Sequence, residues 1–258
     1  MKKSLEIRKA TLNRRLGLFY LIISLALSVL FVPAVQAADA TRASWPQEKS
    51  PDAAIEITTA ELKQIFIEGK IPVIDVRPEK EYDVSHIPGS VNIFETHIDR
   101  MNELCTKSAG VVLYCNGPYC HKTGRVAENL TKKGCLDIRK YQDGLPIWRA
   151  LGNVAETTLS GFRYVLVSDR TALFIDARSN EEFNTGSMPG AKNLQAGEID
   201  AANDDGRLPY TDHGTRVIVF GKTTEQARKL AEAIAHRAYW NSSYLATTYQ
   251  DLKQAGLW

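Results

Sequence analysis

The chain has 258 residues, 44% hydrophobic and 24% charged, a balance that excludes a disordered or collagen-like protein and leaves room for two domains of ordinary size. Its formal charge of +2 hides an asymmetry: Lys2, Lys3, Arg8, Lys9, Arg14 and Arg15 face a single Glu6 within residues 1–37, a net of +5, which leaves −3 for the remainder. Cations beyond residue 37 are interspersed with acids, so no basic surface for nucleic acid is expected.

The chain opens on a targeting pattern. A basic stretch precedes an uncharged apolar run over residues 16–32; Pro33 then breaks the helix, and Val35-Gln36-Ala37 offers small residues to a signal peptidase. This order predicts a secretory signal peptide over 1–37, cleaved after Ala37, and an N-terminal extension over 38–55. The alternative is an uncleaved anchor, since 17 apolar residues barely span a bilayer. Arg14-Arg15 invites a twin-arginine reading, but Gly17 stands where such signals carry a large apolar residue. Either route places the mature protein in the periplasm. No later apolar run is long enough to span, so no stable membrane association is expected after cleavage.

Beyond the leader the chain repeats itself. Residues 72–93 (PVIDVRPEKEYDVSHIPGSVNI) align without a gap on 173–194 (LFIDARSNEEFNTGSMPGAKNL) at an offset of 101. VVLYC at 111–115 matches VIVFG at 217–221, and Tyr141-Gln142-Asp143 is set against Tyr249-Gln250-Asp251. The elements are predicted as an amphipathic helix over 59–68 with Leu62, Ile65 and Phe66 on one face, a strand over 73–76, a small helix, Pro88-Gly89 and a second short strand. A further helix leads to the wholly apolar strand 111–114 and the helix 123–132. Short uncharged strands alternating with helices imply an α/β fold of two three-layer modules, each a parallel sheet flanked by helices. The modules are placed at 56–152 and 161–258, with the polar stretch 153–160 as a linker.

Chemistry concentrates in the first copy. Cys115 falls just past the carboxyl end of a buried strand, where ligand crevices form in parallel sheets. The backbone amides of a tight loop and a following helix start favour negative charge there, which stabilises the thiolate. Asn116, Gly117, Pro118, Tyr119, His121 and Lys122 form the expected substrate-binding loop; Gly117 lets the chain wrap closely, and His121 and Lys122 add positive charge at the rim. Cys120 is a candidate resolving thiol, able to close a disulfide with Cys115, or else merely fills the loop. The second copy has Gly221 in place of Cys115 and no cysteine after residue 135, which leaves no thiol to react there.

With these residues in view, both halves resemble the rhodanese superfamily of sulfurtransferases. The resemblance is carried by IDVRPEKEYDVSHIPGSVNI, by the apolar strand, Cys, loop and helix of VVLYCNGPYCHKTGRVAENL, and by YQDGLPIWRALG with Asp143-Gly144 and Trp148. It implies that Cys115 takes sulfane sulfur from a small donor and passes it to a thiol or protein acceptor, with no cofactor beyond its own persulfide. Many family members carry Arg or Lys within the loop to bind anions such as thiosulfate. This loop carries none, so donor binding would fall to backbone amides, His121 and Lys122. Related cysteine phosphatases need Arg where His121 stands, so phosphatase chemistry is not expected. The second module reads as a structural or docking element covering part of the first site.

Two rivals stay open: a non-catalytic binding module, and a thiol–disulfide component using Cys115 and Cys120. Cys105 and Cys135 stand either as a disulfide, favoured by an oxidising compartment, or as two buried thiols. His86, His97, His213 and His236 are dispersed without ligand spacing, so no metal site is expected. Asp75 and Arg77 are expected to orient the strand end and loop through hydrogen bonds.

Overall fold

The computed structural model describes residues 54–108 and 110–257, so the expected signal peptide and nearly all of the N-terminal extension lie outside the described residues. The first module runs β1 (Ile55–Glu56), α1 (Thr59–Glu68), β2 (Val73–Asp75), α2 (Glu79–Val84), β3 (Val91–Asn92), α3 (Ile98–Ser108), β4 (Val111–Tyr114), α4 (Lys122–Lys132), β5 (Ile138–Tyr141) and α5 (Gly144–Ala150). The second repeats the plan: β6 (Ala155–Thr157), α6 (Leu159–Tyr164) with a π-helical turn over Val165–Asp169, β7 (Leu173–Asp176), α7 (Asn180–Asn184), β8 (Lys192–Asn193), α8 (Ile199–Asp204), β9 (Val217–Phe220), α9 (Thr224–Ala235), β10 (Ser242–Leu245) and α10 (Tyr249–Gln254). Each forms a parallel five-stranded sheet, ordered β1-β5-β4-β2-β3 and β6-β10-β9-β7-β8.

The apolar strands lie in the middle because both of their faces are covered. Along β4, Val111 and Leu113 pack with Met101, Val126 and Leu130 on one face, while Val112 and Tyr114 pack with Leu62, Ile65 and Trp148 on the other. In β9, Val217 and Val219 meet Leu230 and Ile234, and Ile218 and Phe220 meet Phe162 and Leu252. Helix starts follow the local chemistry. Thr58 accepts from the Glu61 amide while the Glu61 carboxylate accepts from Thr58 N at 2.7 Å, and Ser179 and Glu182 reproduce that box in the second copy.

Cys105 and Cys135 are joined as a disulfide, Cα atoms 5.9 Å apart, tying α3 to the turn after α4 inside the Met101–Leu130 core. Closing a loop of sequence separation 30 removes chain entropy from the unfolded state, worth about 3–4 kcal/mol.

Two expectations are corrected. Residues 153–160 are not a linker: they supply β6, which pairs with β10, and the start of α6, capped by Thr158. The stretch looked structureless because an edge strand of three residues is too short to display periodicity and its middle residue, Glu156, is polar. The third repeat block is also not a structural match. Tyr141 closes β5 opposite Tyr114, whereas Tyr249 lies beyond the end of β10 and opens α10. In register the counterpart of Tyr141 is Leu245, next to Tyr244, which faces Val219.

β6 also meets the first module. His86 and Glu156 exchange backbone hydrogen bonds at 3.0 and 2.9 Å, Thr157 Oγ1 donates to Val84 O at 2.9 Å, and Thr158 donates to Asp83 through both N and Oγ1. The Glu156 carboxylate accepts from Tyr244 Oη at 2.6 Å and lies 3.5 Å from His86 Nε2. Burial alone would raise the Glu156 pKa, but the bonds from His86 and Tyr244 outweigh it and hold the group below its ordinary 4.5. A carboxylate depressed in the folded state stabilises above its unfolded pKa, and that contribution fades as pH falls through the folded value. Denaturant midpoints measured from pH 6 to pH 3 should therefore drop in the natural protein, with a smaller drop in Glu156→Gln. Parallel curves would remove this contact from the acid response.

Candidate active site

Cys115 follows β4 directly, on the same core face as Leu113 and Val126, and is 2% exposed. Its sulfur is bonded to that of Cys120, with Cα atoms 6.3 Å apart across a separation of five residues. Gly117 holds φ at 109°, which lets Cys120 N donate to Gly117 O at 2.9 Å and fold the loop back on itself. Pro118, His121 and Tyr119 face solvent, Tyr119 with 87% of its surface exposed, so the partly buried Cys120 is the more accessible half of the pair.

Three supports hold this loop. Leu145 N, at the start of α5, donates to Cys115 O at 3.2 Å. Gln142 Nε2 donates to Pro118 O at 2.8 Å and Cys120 O at 3.3 Å, while Gln142 Oε1 accepts from Thr123 Oγ1 at 3.1 Å. Asn116 is gripped from α2 and the end of β2: its Nδ2 donates to Glu81 Oε2 at 2.8 Å and its Oδ1 accepts from Arg77 Nη1 at 3.3 Å. Arg77 is fixed by Asp75, with Nη2 to Oδ2 at 2.6 Å and Nε to Oδ1 at 2.9 Å, and donates to Ser85 O. Burial opposes the Arg77 charge, but the Asp75 bonds prevail and its pKa lies above the ordinary arginine value. Asp75 and Arg77 thus orient the strand end and the loop.

The expected rim cation has another partner. Lys122 Nζ lies 3.2 Å from Glu95 Oε1 and over the Phe94 ring, and Arg125 takes the second Glu95 oxygen at 2.8 Å. Burial would raise the Glu95 pKa, but bonds from Arg125 and Lys122 bring it below the ordinary value. Among the residues named from sequence, 115–120 come together; His121 is exposed, and Lys122 is committed to Glu95. Gln142, Glu81 and Glu95 were missed as site residues. Gln142 and Glu81 stood in repeat blocks, but nothing local marks a side chain that will reach a distant loop.

The second copy keeps the scaffold without the cysteine. Arg178 repeats the fork on Asp176, while the Gln226 side chain occupies the vacated strand end: its Oε1 accepts from Lys222 N at 2.9 Å and its Nε2 donates to Ala177 O at 2.8 Å. A Cβ on Gly221 would sit 2.9 Å from Gln226 Oε1, so no side chain fits there without displacing it.

The family model described as Rhodanese-like domain matches the chain twice, over residues 58–151 and 165–255. The chain belongs to the rhodanese-like family, as a tandem of two such domains. It is similar to an HTH-type transcriptional regulator of Mycobacterium tuberculosis, 36% identical over 104 residues, covering 40% of this chain and 44% of that protein. An uncharacterized protein of Bacillus subtilis is also 36% identical, over 80 residues, 31% of this chain and 61% of that one. The chain therefore spans less than two thirds of either relative. Among solved structures, a thiosulfate sulfurtransferase from Pseudomonas aeruginosa matches 77% of this chain and 44% of its own at 16% identity and a TM-score of 0.36.

Proposed function

We propose that this rhodanese-like protein is a sulfurtransferase that carries sulfane sulfur on Cys115 and works in the periplasm, where its basic, then apolar, then small-residue leader would direct it. The observation that carries the reading is the position of Cys115: a buried sulfur at the end of the central strand, wrapped by a hydrogen-bonded loop at the approach to α4.

The cycle starts from the disulfide. A reductant thiolate attacks the more accessible Cys120 sulfur, forming a mixed disulfide and expelling Cys115 as the thiolate; a second thiol releases Cys120 and leaves as the oxidised pair. The Cys115 thiolate then attacks the sulfane sulfur of a donor, and the donor's remaining anion departs. An acceptor thiolate takes the outer sulfur and restores Cys115. Without an acceptor, the Cys120 thiolate attacks the inner sulfur, expels hydrosulfide and re-forms the disulfide. That closing step gives a second reading its support, because the Cys115–Cys120 bond is also what a thiol–disulfide component would hold.

The two separate by mass spectrometry of reduced protein treated with a sulfur donor. A gain of one sulfur on the peptide containing Cys115 is expected from transfer. A change of two hydrogens across Cys115 and Cys120, with no added sulfur under any donor, would replace transfer by dithiol exchange.

A further inference from the structure

We propose that Glu81, held against Asn116, makes the Cys115 site accept sulfur from organic donors of at most one negative charge and turn away dianionic oxyanion donors. This rests on the sulfur-transfer reading of Cys115 and names its donor class.

Asn116 follows Cys115 in the chain, and its Nδ2 binds Glu81 Oε2 at 2.8 Å, so a carboxylate stands one hydrogen bond beyond the residue next to the nucleophile. The Glu81 carboxylate lies on a side chain that is 43% exposed. Its nearest cation does not cancel it. Arg77 Nη1 is 3.9 Å from Glu81, while the same guanidinium is engaged twice over by the buried Asp75, with Nη2 at 2.6 Å. Arg77 thus serves two carboxylates on this side of the site, and the buried Arg149 guanidinium beside it is held on Ser85 Oγ. On the other side, Lys122 and Arg125 are both drawn to Glu95. The loop keeps no free Lys or Arg to compensate a second donor charge, and its other basic side chain, His121, is exposed.

The other module supplies the contrast. At the position of Asn116 it has Lys222, whose Nζ lies 3.2 Å from Oε1 of Glu182, the counterpart of Glu81. The fold thus tolerates a lysine at this place and lets it neutralise the same glutamate. In the first copy the residue is an uncharged amide, and no lysine meets the carboxylate from this position.

Thiosulfate and methanethiosulfonate make a matched pair of probes. In each, the Cys115 thiolate takes the outer sulfur; sulfite leaves from the first and methanesulfinate from the second, so the chemistry is shared and the donors differ by one charge. Because repulsion scales with donor charge, Glu81→Gln should raise kcat/KM about tenfold for the dianion and about threefold for the monoanion. Asn116→Lys, which copies the Lys222–Glu182 pair, should narrow the gap further. Equal factors for the two donors in both variants, or no change for either, would overturn the selectivity while leaving transfer intact. Absence of sulfur on Cys115 from either donor would overturn the transfer reading and the selectivity with it.

Discussion

Cys115→Ser is expected to bring sulfur transfer down to the uncatalysed background and to abolish the added sulfur on the 115 peptide, whereas Cys120→Ser should keep both. A serine hydroxyl is essentially never ionised near neutral pH and forms no persulfide, so no residual route passes through this position. The two variants lose the same disulfide, which closes a separation of only five residues and contributes about 2 kcal/mol. Their stabilities should therefore fall together while their activities part, and urea unfolding of both checks that the difference is chemical. In Cys120→Ser the thiol that expels hydrosulfide is gone. The Cys115 persulfide should then outlive that of the natural protein by tenfold or more when no acceptor is present. If Cys120→Ser were as inactive as Cys115→Ser at equal stability, the two sulfurs would act as one redox couple and the carrier role of Cys115 would fall.

The parts of this fold that were legible in the sequence are those where one physical pressure dominates. β4 and β9 are apolar at every position because both faces are buried, and α1 shows its Leu62 and Ile65 stripe because only one face is. Cys115 stood out because a strand end, a turn and a helix start meet there. What escaped were relations between distant segments. β6 is three residues long and gains its pairing from β10, some 86 residues away, as the Thr157–Ser243 side-chain bond illustrates. The false match of Tyr249 to Tyr141 arose because identity over three residues says nothing about register, which the pairing of Tyr114 with Tyr141 decides. Lys122 looked like an anion binder because Glu95, which claims it, lies 27 residues earlier and packs beside it only in the folded sheet. Charge on a loop can be read from sequence; whether that charge is spent on a neighbour cannot.

Gly144→Ala is the substitution expected to damage the site most without touching a sulfur. Gly144 opens α5 with φ at 60°, where a side chain already strains the backbone by about 1 kcal/mol or more. A Cβ built there would lie 2.3 Å from Cys115 O, 2.5 Å from Gly117 N and 2.9 Å from Gly117 Cα. All three are backbone atoms of the active loop and have no rotamer with which to give way. The loop must therefore move, and with it the bond from Leu145 N to Cys115 O that fixes the strand end. Strain and overpacking together should cost about 2–4 kcal/mol of stability. Transfer should fall at least tenfold more than that loss explains, measured at a temperature where the variant stays folded. Gly117→Ala is the control: its Cβ would meet nothing closer than Asp143 O at 3.5 Å, so it bears the backbone strain alone. Should the two alanines prove equal in both stability and transfer, close contact between α5 and the Cys115 loop would not be what shapes the site.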